Sequence, residues 1–209
     1  REHAIQPLVV AALKKALSPA SKLGRTLPHY EVRPQQSKMM ALVAQAFNEQ
    51  GIAVVEAPTG VGKIIAYLLP AALWAVGNRE RLVISTRTIN LQEQIMQKDI
   101  PDLAACLDKP VKAVLVKGRN NYICPRRLQR ALAEATLFQD DEDQEQLKAI
   151  AEWAKKTEDG TKSDLPFVPA YDLWDQVCSE SDTCQFTTCP DIKNCFIGKA
   201  RREISKADL

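Results

Sequence analysis

The sequence predicts an α/β fold, a parallel sheet carrying a phosphate loop and interrupted by a second, mostly helical module. Three observations predict it. Short β-branched runs alternate with helix-spaced apolar runs over residues 36–118. A glycine turn ending in Lys joins one such run to the next helix. After Gly118 the strand pattern stops, and cysteines and arginines gather instead.

Residues 1–35 hold a helix candidate at Leu8 to Leu17, followed by Ser18, Pro19, Ser21, Gly24 and Pro28, which read as a linker. The basic residues Lys14, Lys15, Lys22, Arg25 and Arg33 read as its solvated face. From Gln36, the residues Met39, Met40, Val43, Ala44 and Phe47 recur at helical spacing, and Gly51 is placed to cap that helix. Ile52 to Glu56 (IAVVE) then reads as a buried strand, and Ile64 to Val76 as a helix ended by Gly77 and Asn78. The unit recurs as strand Arg81 to Thr86, helix Ile89 to Gln97 and strand Val111 to Lys117. Apolar strands alternating with helices imply a parallel sheet covered on both faces.

Residues 119–203 form the second module. It reads as a basic helix (Pro125 to Phe138), an acidic patch (Asp140, Asp141, Glu142, Asp143, Glu145), a helix at Leu147 to Lys156, a cysteine-rich stretch ending at Cys195 and a basic helix with Lys199, Arg201 and Arg202.

Composition bounds the function. With 209 residues, 45% hydrophobic and 26% charged, the chain buries a core and is not a disordered tail. Lys+Arg 28 against Asp+Glu 26 leaves +2, so a nucleic-acid surface has to come from local clustering. No stretch reaches the roughly 18 apolar residues of a bilayer span, and Arg1 to Leu13 lacks the pattern of a secretory signal. The expected compartment is the cytoplasm. The opening Arg1 and the uncapped Leu209 suggest a segment of something longer. Six cysteines in a reducing compartment point to metal binding rather than disulfides.

Ala57-Pro58-Thr59-Gly60-Val61-Gly62-Lys63 lies between a predicted strand and a predicted helix, the context in which main-chain N–H groups and a helix N-terminus cradle phosphates. Gly60 and Gly62 let the main chain approach the oxygens, and Lys63 supplies a charge to the β and γ phosphates. A phosphate loop continues with Ser or Thr, whose hydroxyl ligates Mg²⁺; here that residue is Ile64. The expected result is a site that binds nucleotide and hydrolyses it slowly, because the bridging metal loses a ligand.

Cys184-x4-Cys189-x5-Cys195 gathers three thiols, and Cys124 opens the same module. Gaps of four and five residues suit the perimeter of an iron–sulfur cluster, whereas zinc knuckles favour gaps of two; zinc stays as the alternative. Cys106, among Leu103, Ala104, Ala105 and Leu107, reads as a small buried hydrophobe. Cys178 is a fifth thiol near the set and is left out of it.

These motifs, with KGRNNYICPRR between them, resemble the bacterial DinG family of XPD-like superfamily 2 DNA helicases. The resemblance runs from about Leu27 to the end. It includes Tyr30-Glu31-Val32-Arg33-Pro34-Gln35-Gln36 with Met39, similar to the family's adenine-side element; the loop AxxGxGK; Ser85-Thr86-Arg87-Thr88 with Leu91 and Gln94; and the four-cysteine insertion. It implies a motor of two RecA-like domains that couples ATP hydrolysis to 5′ to 3′ movement on single-stranded DNA, with a 4Fe-4S domain inserted in the first. In that scheme residues 36–118 begin the first RecA-like domain, 119–203 are the cluster domain and 204–209 return towards the first.

By position, the resemblance puts Arg33 and Gln36 near the adenine, Ala57 to Ile64 around the phosphates, Cys124, Cys184, Cys189 and Cys195 on the cluster, and Thr86 and Arg87 on the DNA backbone. Two departures stand out. Ile64 replaces the family's Thr, and the chain stops at ISKADL, before the family's Asp-Glu-x-His box and second domain. Without those partners phosphoryl transfer lacks most of its electrostatic stabilisation, so the chain alone is not expected to unwind DNA. Arg126, Arg127, Arg130, Lys199, Arg201 and Arg202 make the most plausible DNA surface, and Tyr122, Phe186 and Phe196 either stack on bases or pack around the cluster. Two other readings compete: a non-catalytic module for single-stranded DNA and nucleotide, and a zinc-stabilised phosphate-loop protein. The expected state is a monomer that binds ATP and single-stranded DNA and no membrane.

Overall fold

The computed structural model describes residues 4–26, 31–105, 107, 109–134 and 141–209. Tyr30, Cys106, Phe138 and Asp140 lie outside them. The chain divides into two units, Arg1–Leu115 with Lys206–Leu209, and Val116–Ser205.

In the first unit, α1 (Val10–Ala16) and α2 (Lys22–Thr26) precede two long helices, α3 (Pro34–Glu49) and α4 (Lys63–Asn78). Pro34 at the first position of α3 has its φ already set for a helix and no N–H to leave unpaired. The left-handed cap of α3 falls on Gln50 (φ 51°), one residue before the glycine that the sequence offers. Gly51 N–H then reaches Ala46 O (2.9 Å) and Gln50 N–H reaches Phe47 O (3.2 Å), the paired bonds of a Schellman closure. Helix α4 ends the same way on Arg79 (φ 55°), past Gly77 and Asn78.

Pro70 sits inside α4, at a cost of about 3 kcal/mol. Burial of Ile65, Leu68, Leu69 and Trp74 outweighs it, at about 2 kcal/mol each. Helices α3 and α4 pack together, with Phe47 stacked on Trp74 at 5.3 Å. Asn48 and Asn78, at the ends of these helices, clamp the chain before α1: their carboxamides bond both ways with the main chain of Leu8 and of Gln6. Helix α5 (Ile89–Gln94) runs through a π-helical turn (Ile95–Asp99) into α6 (Ile100–Ala104). Leu13, Leu17, Met40, Leu68, Leu69, Ile95 and Leu103 form the core.

The runs at 52–56, 81–86 and 111–117 lie outside the helices, and no strand ladder is present among the described residues. In the run at 81–86 burial alternates: Leu82, Ile84 and Thr86 are half-buried, whereas Val83 is 91% exposed, so one face is packed and the other open. At 52–56 Val55 is half-buried while Ile52 and Val54 are 97% and 96% exposed, and at 111–117 Ala113, Val114 and Leu115 are all half-buried. Leu82 N–H donates to Asp208 O (2.9 Å), and Val114 N–H to Leu209 O (2.9 Å), so residues 208–209 bond to two of the runs.

The second unit contains α7 (Pro125–Ala133), α8 (Asp141–Ala154), α9 (Tyr171–Val177) and α10 (Phe196–Ile204). Asp141, Glu142 and Asp143 of the acidic patch occupy the first turn of α8, where they complement the helix dipole. Isolated bridges join Tyr122 to Thr161 and Ile123 to Cys178. Ile123, Leu147, Ile150, Leu173, Trp174, Val177 and Cys178 form its core. Among the described residues no helix is long and apolar enough to cross a membrane.

Candidate functional site

The loop at residues 57–63, expected to hold phosphates, is shaped by its glycines and by the first turn of α3. Gly60 and Gly62 take φ of 83° and 77°, and Gly62 caps the sixteen-residue helix α4. That left-handed backbone favours glycine at both places. Lys63 Nζ donates to Ala57 O (2.8 Å), so the ammonium lies folded over its own loop. Arg33 Nη1 donates to Gly60 O, and Gln36 Nε2 to Gly62 O at 3.0 Å. Arg33 and Gln36, expected beside an adenine, are thus on the loop itself. Pro58 and Thr59 are exposed and Val61 is half-buried. Ile64 packs against the core and offers no oxygen to a cation.

In the next segment Thr88 caps α5 by accepting from Leu91 N–H (3.3 Å), and Thr86 Oγ1 donates to Thr88 O (3.2 Å). Arg87 is exposed beside them.

In the second unit Cys124, Cys184, Cys189 and Cys195 all line one cavity of about 280 Å³, shared with Arg119, Arg126 and Arg201. Cys124 and Cys195 are the caps of α7 and α10, and Cys195 Sγ accepts from Gly198 N–H (3.4 Å). Burial pushes the Cys124 thiol up, the main-chain N–H groups of Arg127 and Arg126 pull it down, and Cys195 and Cys189 push it up again; the net direction is upward. Cys184 goes the other way. Burial raises it, but the Phe186 amide, the Arg119 side chain and the charges of Arg119 and Arg201 together hold it below the usual thiol value. Among the described residues, no three His, Cys, Asp or Glu side chains gather closely enough to hold a single metal ion. All four side chains are thiols, a donor set that an iron–sulfur cluster or a zinc ion takes. Cys178 is 2% exposed and belongs to the core.

The basic residues divide by task. Arg127 donates to Gln176 O (2.9 Å), Asp175 O (2.6 Å) and the Glu180 carboxylate (2.6 Å), tying down the last turn of α9. Its partners lie some fifty positions along the chain, so the sequence shows its charge but not this duty. Arg130 pairs with Glu134 at 3.0 Å. Arg201 and Arg119 lie against the Phe186 ring at 4.6 and 5.3 Å. Arg126 is half-buried, and Arg201 and Arg202 are exposed. Of the three aromatics, Tyr122 is 2% exposed, with its hydroxyl accepting from Lys117 N–H, and Phe196 packs on the core. Phe186 remains 47% exposed. Arg119, within KGRNNYICPRR, is the cavity residue that charge patterning alone does not single out.

No family model matches the chain. Curated proteins do. It is 35% identical over 195 residues to the ATP-dependent DNA helicase YoaA of Escherichia coli, covering 92% of this chain and 30% of that protein. To YoaA of Haemophilus influenzae it is 31% identical, covering 90% and 29%. To the 3′-5′ exonuclease DinG of Bacillus subtilis it is 33% identical over 189 residues, covering 90% and 20%. The chain thus spans less than a third of the length of these relatives. Over about nine-tenths of its own length, the chain is thus similar to the DinG and YoaA proteins.

Proposed function

We propose that this chain is the nucleotide-gripping and cluster-bearing part of an ATP-dependent 5′ to 3′ DNA helicase. One observation carries the nucleotide half: a loop with two left-handed glycines opens the long helix α4, with a lysine at its first position. A triphosphate on those N–H groups offers Lys63 Nζ a stronger partner than Ala57 O, since a charge-assisted hydrogen bond is roughly twice as strong as one to a neutral carbonyl. In this reading the runs at 52–56, 81–86 and 111–117 pair as a parallel RecA-like sheet, and the bonds of Leu82 and Val114 to residues 208–209 support it.

Cys124, Cys184, Cys189 and Cys195 hold a 4Fe-4S cluster in this reading, which when bound supplies a cross-link between four points of the chain. Single-stranded DNA lies on Arg126, Arg201 and Arg202 of the second unit and on Thr86 and Arg87 of the first, each set offering donors to phosphate oxygens. Arg127 holds α9 instead. If the three arginines contact phosphates, log K for single-stranded DNA falls against log salt with a slope of about −2, at roughly −0.7 per contact. An affinity indifferent to salt contradicts that surface.

Ile64 favours a second reading of the same site, in which nucleotide is held without being hydrolysed. Titration calorimetry of the chain with ATP, with and without Mg²⁺, tests both. The expected result is binding that depends little on Mg²⁺, and a gain of Mg²⁺ dependence in Ile64→Thr, whose hydroxyl can ligate the ion. A folded chain that binds neither ATP nor inorganic tripolyphosphate contradicts both readings.

A further inference from the structure

We propose that Phe186, held by Arg119 and Arg201, is a cover on the thiol cavity that keeps water and iron-binding solutes off a bound cluster. The inference rests on the reading that Cys124, Cys184, Cys189 and Cys195 hold such a cluster. Phe186 lines the cavity with Cys184 and Cys189 and is still 47% exposed, so its ring stands between those thiols and solvent. Its main chain takes a left-handed φ of 48°, a conformation that costs a residue with a Cβ free energy. Strain of this kind persists only where the surroundings over-determine it. Here two guanidinium groups lie over the ring, Arg201 at 4.6 Å and Arg119 at 5.3 Å from its centre.

The two arginines come from opposite ends of the second unit. Arg119 stands in the 3₁₀ turn Arg119–Asn121 before Cys124, and Arg201 in α10 after Cys195, so the two flanks of the cysteine set meet at this ring. Both arginines line the same cavity, and their charges reach the Cys184 sulfur. Cys189 N–H donates to Phe186 O (3.1 Å), so the residue that carries the ring also positions the next thiol. A guanidinium over an aromatic ring at an exposed site favours that placement about two- to fivefold, and two of them together hold the ring about tenfold. A nucleobase has to compete with both for the ring, which favours a cover over a base platform.

The test uses the 209-residue chain purified anaerobically, and follows transfer of its iron to EDTA, without oxygen, by the loss of visible absorption. Phe186→Asn removes the ring but suits the left-handed backbone, which asparagine adopts more readily than most residues with a side chain. The expected result is transfer about tenfold faster in Phe186→Asn, and no change in Phe186→Tyr, which keeps a ring and which a merely loosened segment would not distinguish. Arg201→Gln leaves one guanidinium over the ring; it is expected to accelerate transfer about two- to fivefold and serves if Phe186→Asn does not fold. An unchanged rate in Phe186→Asn overturns the cover and leaves the cluster standing. The same rate with weakened binding of oligo(dT) also overturns it, and makes the ring a base platform. A folded, unsubstituted chain that holds no iron and sulfide removes the cluster and the cover together.

Discussion

Cys189→Ser is expected to release the segment 179–195, with tryptic cleavage after Lys193 strongly accelerated. The reason lies in what holds that segment. It has only two short 3₁₀ turns, Phe186–Thr188 and Ile192–Asn194. The buried core of the second unit draws its residues from 123–178 and none from 179–195. Phe186 also takes a left-handed φ of 48°, which costs a residue with a side chain about 1–2 kcal/mol. With so little apolar burial, a cluster ligated by the thiols, as proposed, would do most to fix the segment, since metal binding of this kind is folding free energy. Helices α7, α8 and α9 pack around their own core, so they are expected to survive. Limited proteolysis followed by mass spectrometry checks it: unchanged cleavage at Lys193 contradicts a ligating role for Cys189, and collapse of α7 to α9 contradicts their independence.

Gly160→Ala is expected to destabilise the second unit by about 3 kcal/mol, the sum of a backbone cost and a packing cost. Gly160 has a φ of 65°, and a Cβ there would stand 2.3 Å from Phe196 Cγ and 2.6 Å from both Cδ atoms. Left-handed backbone costs Ala about 1–2 kcal/mol, and overpacking adds typically about 1–3 kcal/mol. Moving the backbone is no escape, because Gly160 O accepts from Ile123 N–H (2.9 Å) and Gly160 N–H donates to Thr157 Oγ1 (3.0 Å). For a unit of this size the midpoint of thermal unfolding falls by about 15 °C. Phe196→Leu combined with Gly160→Ala recovers part of the loss, since a smaller side chain relieves the contact. A midpoint within a degree or two of the unsubstituted chain contradicts this account of the packing.

Local signals in the sequence carried the long helices. Helical spacing from Met39 to Phe47 marked α3, and the GVGK turn marked the start of α4, because both depend on neighbours a few positions away. The ends of those helices were less legible. Gly51 and Gly77 read as caps, yet the left-handed residues are Gln50 and Arg79. Helix α7 ends at Ala133, within the longer basic run that the pattern suggested, and α8 starts on acidic residues that read only as a patch.

At the site, spacing pointed to the four thiols, but the arginines around them depend on contacts across the fold. Arg127 reads as surface charge and serves α9, whereas Arg119, not singled out by charge patterning, lies against Phe186. The turn of Arg33 and Gln36 onto the loop carbonyls is likewise invisible to pattern, because it joins residues 26 and 27 positions apart.

Metal and acid-labile sulfide analysis of anaerobically purified chain, read with its absorption near 400 nm, tests the central claim that four thiols of one cavity hold a polynuclear iron centre. The account expects about four iron and four sulfide per chain, lost together in Cys189→Ser. About one zinc per chain with no sulfide, or a folded chain holding no metal, contradicts it.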